Sequence, residues 1–246
     1  MVGITAYGAY VPKRRLNRMA IIQSMAWLAP GLMTAARGER SMCNWDEDAM
    51  TMAVAAARDC LTGMEKSAIN AAYLASTSLP FKDRQNSGIL ATALNLPEEG
   101  LVTADFTASL KSGTTALLTG IDAIRGEGKD NVLVAATDAR DTKSAWFFEL
   151  WYGDGAASLM LGKDNVIAEF KGAHSVSCDF VPSYKGANTK YDYGWEERWI
   201  REQGFSKIIP AAINGLLEKC GVSMDDISKV VYPCHMSKRV HQSIAK

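Results

Sequence analysis

Residues 105–115, DFTASLKSGTT, place hydroxyls and a glycine where a β-rich run gives way to a helical pattern. A helix start offers unpaired N–H groups and the positive end of the helix dipole, so chemistry there would stabilise a developing anion. Ser109 and Ser112 stand at this start. A serine becomes a nucleophile only when a base takes its proton, and the plainer reading is that these hydroxyls cap free N–H groups. The five cysteines at 43, 60, 178, 220 and 234 are odd in number, widely spaced and never in a CxxC pair, so neither a disulfide framework nor a zinc site is indicated. His235 falls beside a predicted strand end, where a catalytic and a structural reading both stand. Lys238 and Arg239 follow it and are explained equally by a solvated helix face. The turn Gly153-Asp154-Gly155 reads as a tight reversal before a strand.

The elements that must position these residues alternate. β-rich runs at 2–10, 71–77, 101–107, 132–137 and 156–161, several apolar on both faces, predict an α/β protein with a largely parallel sheet covered above and below by helices. Residues 46–61 form the clearest helical pattern, with Met50, Ala53, Val54, Ala57 and Leu61 on one face, Asn44 and Glu47 as a capping box, and Gly63 as the stop. A second amphipathic helix is expected over 112–125, ending at Gly126 and Gly128. The polar stretch 171–193 has little periodicity and divides the chain into 1–172 and 173–246. Beyond it, 196–219 reads as helix, 226–232 as strand and 238–246 as helix. MAVAAARDCL before NAAYLAST resembles IIPAAINGLLEKC before SKVVYPC, a weak internal repeat whose second copy is incomplete. A sheet stopping there leaves an edge and a helix face uncovered unless another chain covers them.

Lys plus Arg and Asp plus Glu both number 27, so no net field gathers nucleic acid or an anionic membrane, and 48% apolar residues suffice for a sizeable core. Neither a signal-peptide pattern nor a run of ~20 apolar residues occurs, which makes the cytoplasm the expected location. The aromatic run at 146–152, WFFELWY, calls for a core or an interface.

Four segments together resemble the thiolase superfamily, in the branch of 3-hydroxy-3-methylglutaryl-coenzyme A synthases and type III ketoacyl carrier-protein synthases. DFTASLKSGTTALLTGIDAI is similar to that family's nucleophile-bearing strand and helix, and YGDGAASLML to the glycine-rich turn and strand after it. GAYVPKRRL looks like the opening strand and loop, and NWDEDAMTMAVAAARDCL like the helix before the second strand. The resemblance implies a layered αβαβα fold, its second half incomplete here, and a coenzyme A or carrier thioester as ligand with no covalently held cofactor. It also implies a cysteine that takes the acyl group at the helix start.

Counting five residues from Asp105, or four back from Thr114, that position falls on Leu110. The family's acid/base glutamate falls on Thr77, whose hydroxyl does not exchange a proton near neutral pH. The family's histidine falls on Pro233 or Cys234, with His235 close by, and Lys238, Arg239, Gly113 and Thr114 are the substrate-binding candidates. The expectation is a subunit without its own nucleophile that completes an interface with a thiolase-like catalytic subunit acting on acyl-coenzyme A, with a small OB-fold zinc protein as a further candidate partner. The alternative is a stand-alone acyltransferase with a non-standard site, and a third reading is a split gene product.

Overall fold

A computed structural model describes residues 1–246 apart from 26, 28–29, 31–32, 34–36, 127, 145 and 232–246. In chain order the main elements are β1 (Gly3–Tyr10), β2 (Arg14–Asn17), α1 (Arg18–Met25), β3 (Glu39–Met42), α2 (Ala49–Cys60), β4 (Ala71–Ala75), α3 (Asn86–Ala93), β5 (Val102–Phe106) and α4 (Ser112–Arg125). After these come β6 (Val132–Asp138), α5 (Phe147–Trp151), β7 (Gly155–Gly162), β8 (Ala168–Glu169), β9 (Ser183–Tyr184), β10 (Tyr193–Gly194), α6 (Glu197–Trp199) and α7 (Ser206–Cys220). The chain forms two compact units. The first holds Met1–Asn17, Glu39–Arg140 and Gly153–Phe170, and the second Arg18–Gly38, Asp141–Tyr152 and Lys171–Lys246.

The first unit is built on a six-stranded sheet in the order β5-β4-β6-β7-β1-β8. Only β5, β4 and β6 are parallel; β7, β1 and β8 are antiparallel, so the sheet is mixed rather than largely parallel. The chain between β6 and β7 lacks a full-length crossover helix and therefore returns antiparallel.

Every residue of β4 is buried, and alternation sends its side chains to two cores. Ala72 and Leu74 meet α2 and α3 through Ala53, Ala57, Cys60, Leu90 and Leu94. Ala71, Tyr73 and Ala75 meet α4 through Ala116, Ile121 and Ile124. The apolar-on-both-faces pattern in the sequence has this cause.

The α2 capping box forms four residues later than expected: Asp48 accepts from the Thr51 N–H at 2.8 Å, and the Thr51 hydroxyl accepts from the Asp48 N–H at 2.7 Å. Glu47 instead closes the preceding turn, accepting from the Asn44 N–H at 2.7 Å. Gly63, with φ +75°, follows the helix end as anticipated. Ser158 of β7 is fully buried on the α2 side, and its hydroxyl has no hydrogen-bond partner among the described residues. Such a group costs stability, so Ser158→Ala is expected to leave stability unchanged or raise it by up to about 1 kcal/mol, read as the urea midpoint.

In the second unit, the aromatic run is a packed cluster. Phe147 lies 4.6 Å from Trp146 and 4.9 Å from Trp151, Phe148 stacks on Tyr152 at 4.9 Å, and Gly194 leaves room for the Phe147 and Phe148 rings. The helix expected over 196–219 is present but widens to a π-helical segment, Ile200–Phe205, between α6 and α7. There Gly204 lies against the Phe180 ring, where any Cβ would collide. The strand expected at 226–232 does not form over its described part. Met224–Asp226 is a 3-10 turn, and Val230 and Val231 are exposed. A strand exists by its ladder, and that segment joins no ladder among the described residues. The helix expected at 238–246 lies outside the described residues. No helix among the described residues is long and apolar enough to cross a membrane.

Candidate functional site

The parallel strands β5, β4 and β6 end side by side, with the Ser76 N–H donating to Phe106 O at 3.0 Å just past the ladder. Carboxyl ends of parallel strands are where α/β sheets present loops and helix starts to ligands. Here they bring together Thr77 after β4, residues 107–111 after β5, and Asp138 at the end of β6.

The turn between β5 and α4 is tight. Ala108 has φ +61°, a left-handed conformation costly for a residue with a Cβ, and such outliers gather at sites the surrounding structure over-determines. Leu110 follows with half its surface exposed (50%). The Ser109 hydroxyl accepts from the Lys111 N–H at 3.1 Å, and Ser112 N donates to Ser109 O at 3.1 Å. Among the described residues neither serine hydroxyl bonds a histidine or a carboxylate, so Ser109 acts as a turn cap. Gly113 and Thr114 lie in the first turn of α4, which has no side-chain cap.

Asp105, the strand residue before this turn, points away from the α4 start. Its carboxylate accepts from Asn86 N (2.7 Å), Asn86 Nδ2 (2.9 Å) and Ser87 N (2.7 Å), capping α3 from a distance. Partial burial pushes its pKa up, but these hydrogen bonds from Asn86 and Ser87 outweigh burial and hold it below the usual carboxylate range.

Thr77 sits in a polar knot that the sequence reading missed. Asp138 Oδ1 accepts from Thr77 N (2.8 Å), Thr77 Oγ1 (2.9 Å), Ser76 Oγ (3.0 Å) and Ser78 Oγ (3.0 Å). Arg140 Nη1 donates to Thr77 Oγ1, and Ala139 N to Ser78 Oγ at 2.9 Å. Thr77 thus bridges a carboxylate and a guanidinium without titrating. A charged residue closing an otherwise apolar buried strand was the available signal for Asp138. Its removal strands several donors, one on buried Ser76, so Asp138→Ala is expected to cost roughly 2–4 kcal/mol in denaturant unfolding and Asp138→Asn less than half of that.

The thiols lie elsewhere. Cys60 is in the α2–α3 core, on the opposite sheet face from α4, and burial pushes it up to about 11. Cys43 packs with Met52 and Ala156, and burial, then the Asp154 carboxylate beside it, push it up to about 12. Such thiols are poor nucleophiles at neutral pH. In the Gly153 turn neither Gly153 nor Gly155 has a positive φ, and a Cβ on Gly153 would lie 2.8 Å from Ser41 Oγ. Asp154 accepts from Cys43 N at 2.7 Å, tying β7 to the loop after β3. Cys234, His235, Lys238 and Arg239 lie outside the described residues. No cluster of three metal-ligating side chains occurs among the described ones.

No family model matches the chain. Its sequence is 28% identical over 236 residues to the hydroxymethylglutaryl-CoA synthase of Pyrobaculum aerophilum, covering 94% of this chain and 66% of that protein. The 3-oxoacyl-(acyl carrier protein) synthase III of Pseudomonas aeruginosa superposes with a TM-score of 0.81 at 19% identity, over 99% of this chain and 78% of that one. The fold is the α/β thiolase-like fold. A hydroxymethylglutaryl-CoA synthase complexed with coenzyme A superposes at 0.79 and 18% identity, over 92% of this chain and 58% of that one. The chain therefore spans about two thirds of the length of the curated synthase it matches. Within the thiolase fold, the turn bearing Leu110 and the knot holding Thr77 lie at neighbouring strand ends of one sheet.

Proposed function

We propose that this chain is a supporting subunit of an acyl-coenzyme A condensing or acyl-transfer assembly, with a thiolase-like partner supplying the nucleophile. The observation that carries this reading is the side chain at the α4 start: an exposed leucine occupies the turn, while the partly buried Cys43 and the buried Cys60 are both held protonated, Cys60 on the far face of the sheet. A hydrocarbon cannot attack a thioester. Thr77, locked between Asp138 and Arg140, is equally unsuited to move a proton. What remains is a helix start whose N-cap residue makes no side-chain cap, and its positive end can hold a thioester oxygen or line a channel without breaking a bond.

A small OB-fold zinc protein is the further partner proposed, and coenzyme A thioester the ligand. The purified chain is incubated with acetyl-coenzyme A and with acetoacetyl-coenzyme A, and its intact mass is recorded. The expected outcome is an unmodified mass with both. An acyl adduct on any residue of the isolated chain would replace this reading with the stand-alone acyltransferase.

A further inference from the structure

We propose that residues 172–180 are a releasable strap that clamps α7 along its length and lifts from it as one unit, a latch over the side of that helix which carries its glycines. The strap and the helix both belong to the second unit. Three contacts define the strap. Gly172 packs against Cys220 and Leu216, the His174 ring sits in a notch at Gly215, and the Phe180 ring sits in a notch at Gly204 of the π-helical segment. A Cβ at either helical glycine would overlap the seated ring. Glycine weakens a helix, so its presence at both places has the close approach as its reason.

The contacts run antiparallel: as the strap passes 172, 174 and 180, its places on the helix are 220, 215 and 204. The lengths agree. From Cys220 to Gly215 the helix rises ~7.5 Å, about what two extended residues reach, and the whole path to Gly204 is about 24 Å, against a limit of about 29 Å for the strap's eight steps. A chain so nearly extended has no slack with which to slide by a residue.

No strand pairing holds it. Residues 172–180 join no ladder, and among the described residues their one hydrogen bond is Lys219 Nζ donating to Ala173 O at 2.9 Å. The backbone from Ser175 to Asp179 is therefore ordered because both of its ends are keyed. Once Phe180 leaves its notch, two small contacts at Gly172 and His174 remain to offset the entropy of the whole segment, and they do not suffice. No residue of α7 is buried even with the strap in place, and segments with so little burial open well below the free energy of global unfolding. Opening bares Leu216 and Cys220, so the latch decides whether this side of α7 is available for binding.

The chain carries its own reporter and reference, since Cys220 lies under one end of the strap and Cys178 stands exposed on it. The purified chain is pulsed with iodoacetamide, and the peptides holding the two thiols are weighed. In wild type, Cys220 is expected to label at least about tenfold more slowly than Cys178. Phe180→Ala removes the key at the far end, about 24 Å along the helix from Cys220, and is expected to raise Cys220 labelling at least about fivefold with Cys178 unchanged. Gly204→Ala, which expels the same ring, should do likewise, and Ser177→Ala, on the strap but not a key, should leave the wild-type rate. Amide exchange over β4 and β6, read on the same samples, is expected to stay at its wild-type rate in all three variants. The proposal is overturned by a wild-type Cys220 that labels as fast as Cys178, or by either key variant leaving Cys220 slow. It is equally overturned if exchange in β4 and β6 rises in step with the labelling, because the release is then global unfolding.

Discussion

Leu110→Cys is expected to give a thiol that reacts with iodoacetamide at neutral pH about tenfold faster than an ordinary cysteine. The new sulfur would sit in the turn that starts α4, at the positive end of a helix whose N-cap residue makes no side-chain cap, where Leu110 is already half exposed. A helix N-terminus lowers a thiol pKa, and a drop from about 8.5 to about 7.5 raises the thiolate fraction at pH 7 about eightfold. The fold should tolerate the change within about 0.5 kcal/mol, since an exposed side chain is exchanged. Two probes separate two questions. Alkylation reports only the electrostatics of the turn. Acylation by acetyl-coenzyme A reports in addition whether a thioester can reach it, as the proposed role in an acyl-coenzyme A assembly requires. The expected outcome is alkylation and acylation of Cys at 110, with no turnover, because the Thr77 hydroxyl bridging Asp138 and Arg140 offers no proton near neutral pH. Reactivity no greater than that of exposed Cys178 would mean that the helix start lacks the field assigned to it.

The five main strands and the α2 and α4 helices were legible because each is a local pattern. Two-faced apolar runs mark strands between helix layers, and α4 spans 112–125 as its periodicity indicated. The antiparallel half of the sheet was not legible, since strand direction depends on how the chain returns and not on the composition of β7. The α2 cap was misplaced by a competition between two adjacent carboxylate turns, Asn44–Glu47 and Asp48–Thr51, both of which form. Residues 226–231 carry β-prone side chains, yet without a ladder partner they stay unpaired. At the site, the Leu110 turn could be found because it adjoins a strand–helix junction. The polar knot could not: Asp138 and Arg140 lie some sixty residues from Thr77, and only the side-by-side ends of β4 and β6 bring them together.

Gly8→Val is expected to abolish soluble expression or to cost more than about 4 kcal/mol, the range reached when a core backbone contact is overfilled. A Cβ on Gly8 would lie 2.2 Å from Cys60 N, 2.5 Å from Ala56 O and 2.8 Å from Cys60 Cα, all backbone atoms of α2 that no rotamer change can move. A glycine inside a strand marks a close backbone approach, and here α2 is the element that approaches. Gly128→Ala is the matched control: its nearest contact would be 3.7 Å, and a loss beyond about 1 kcal/mol is not expected. Gly8→Ala isolates the same clash without the branched side chain and should fall between the two in urea midpoint. Its consequence reaches the site. The Thr137 hydroxyl donates to Ala49 O at 2.8 Å, tying the start of α2 to the residue before Asp138. A helix lifted off β1 drags on the end of β6, and the oxygen that gathers Ser76, Thr77 and Ser78 moves with it. A folded Gly8→Ala protein should therefore carry the substitution Asp138→Ala at a smaller further cost than wild type does, because part of that knot is already loosened. Strictly additive losses in the double variant would show that α2 and the strand ends respond independently.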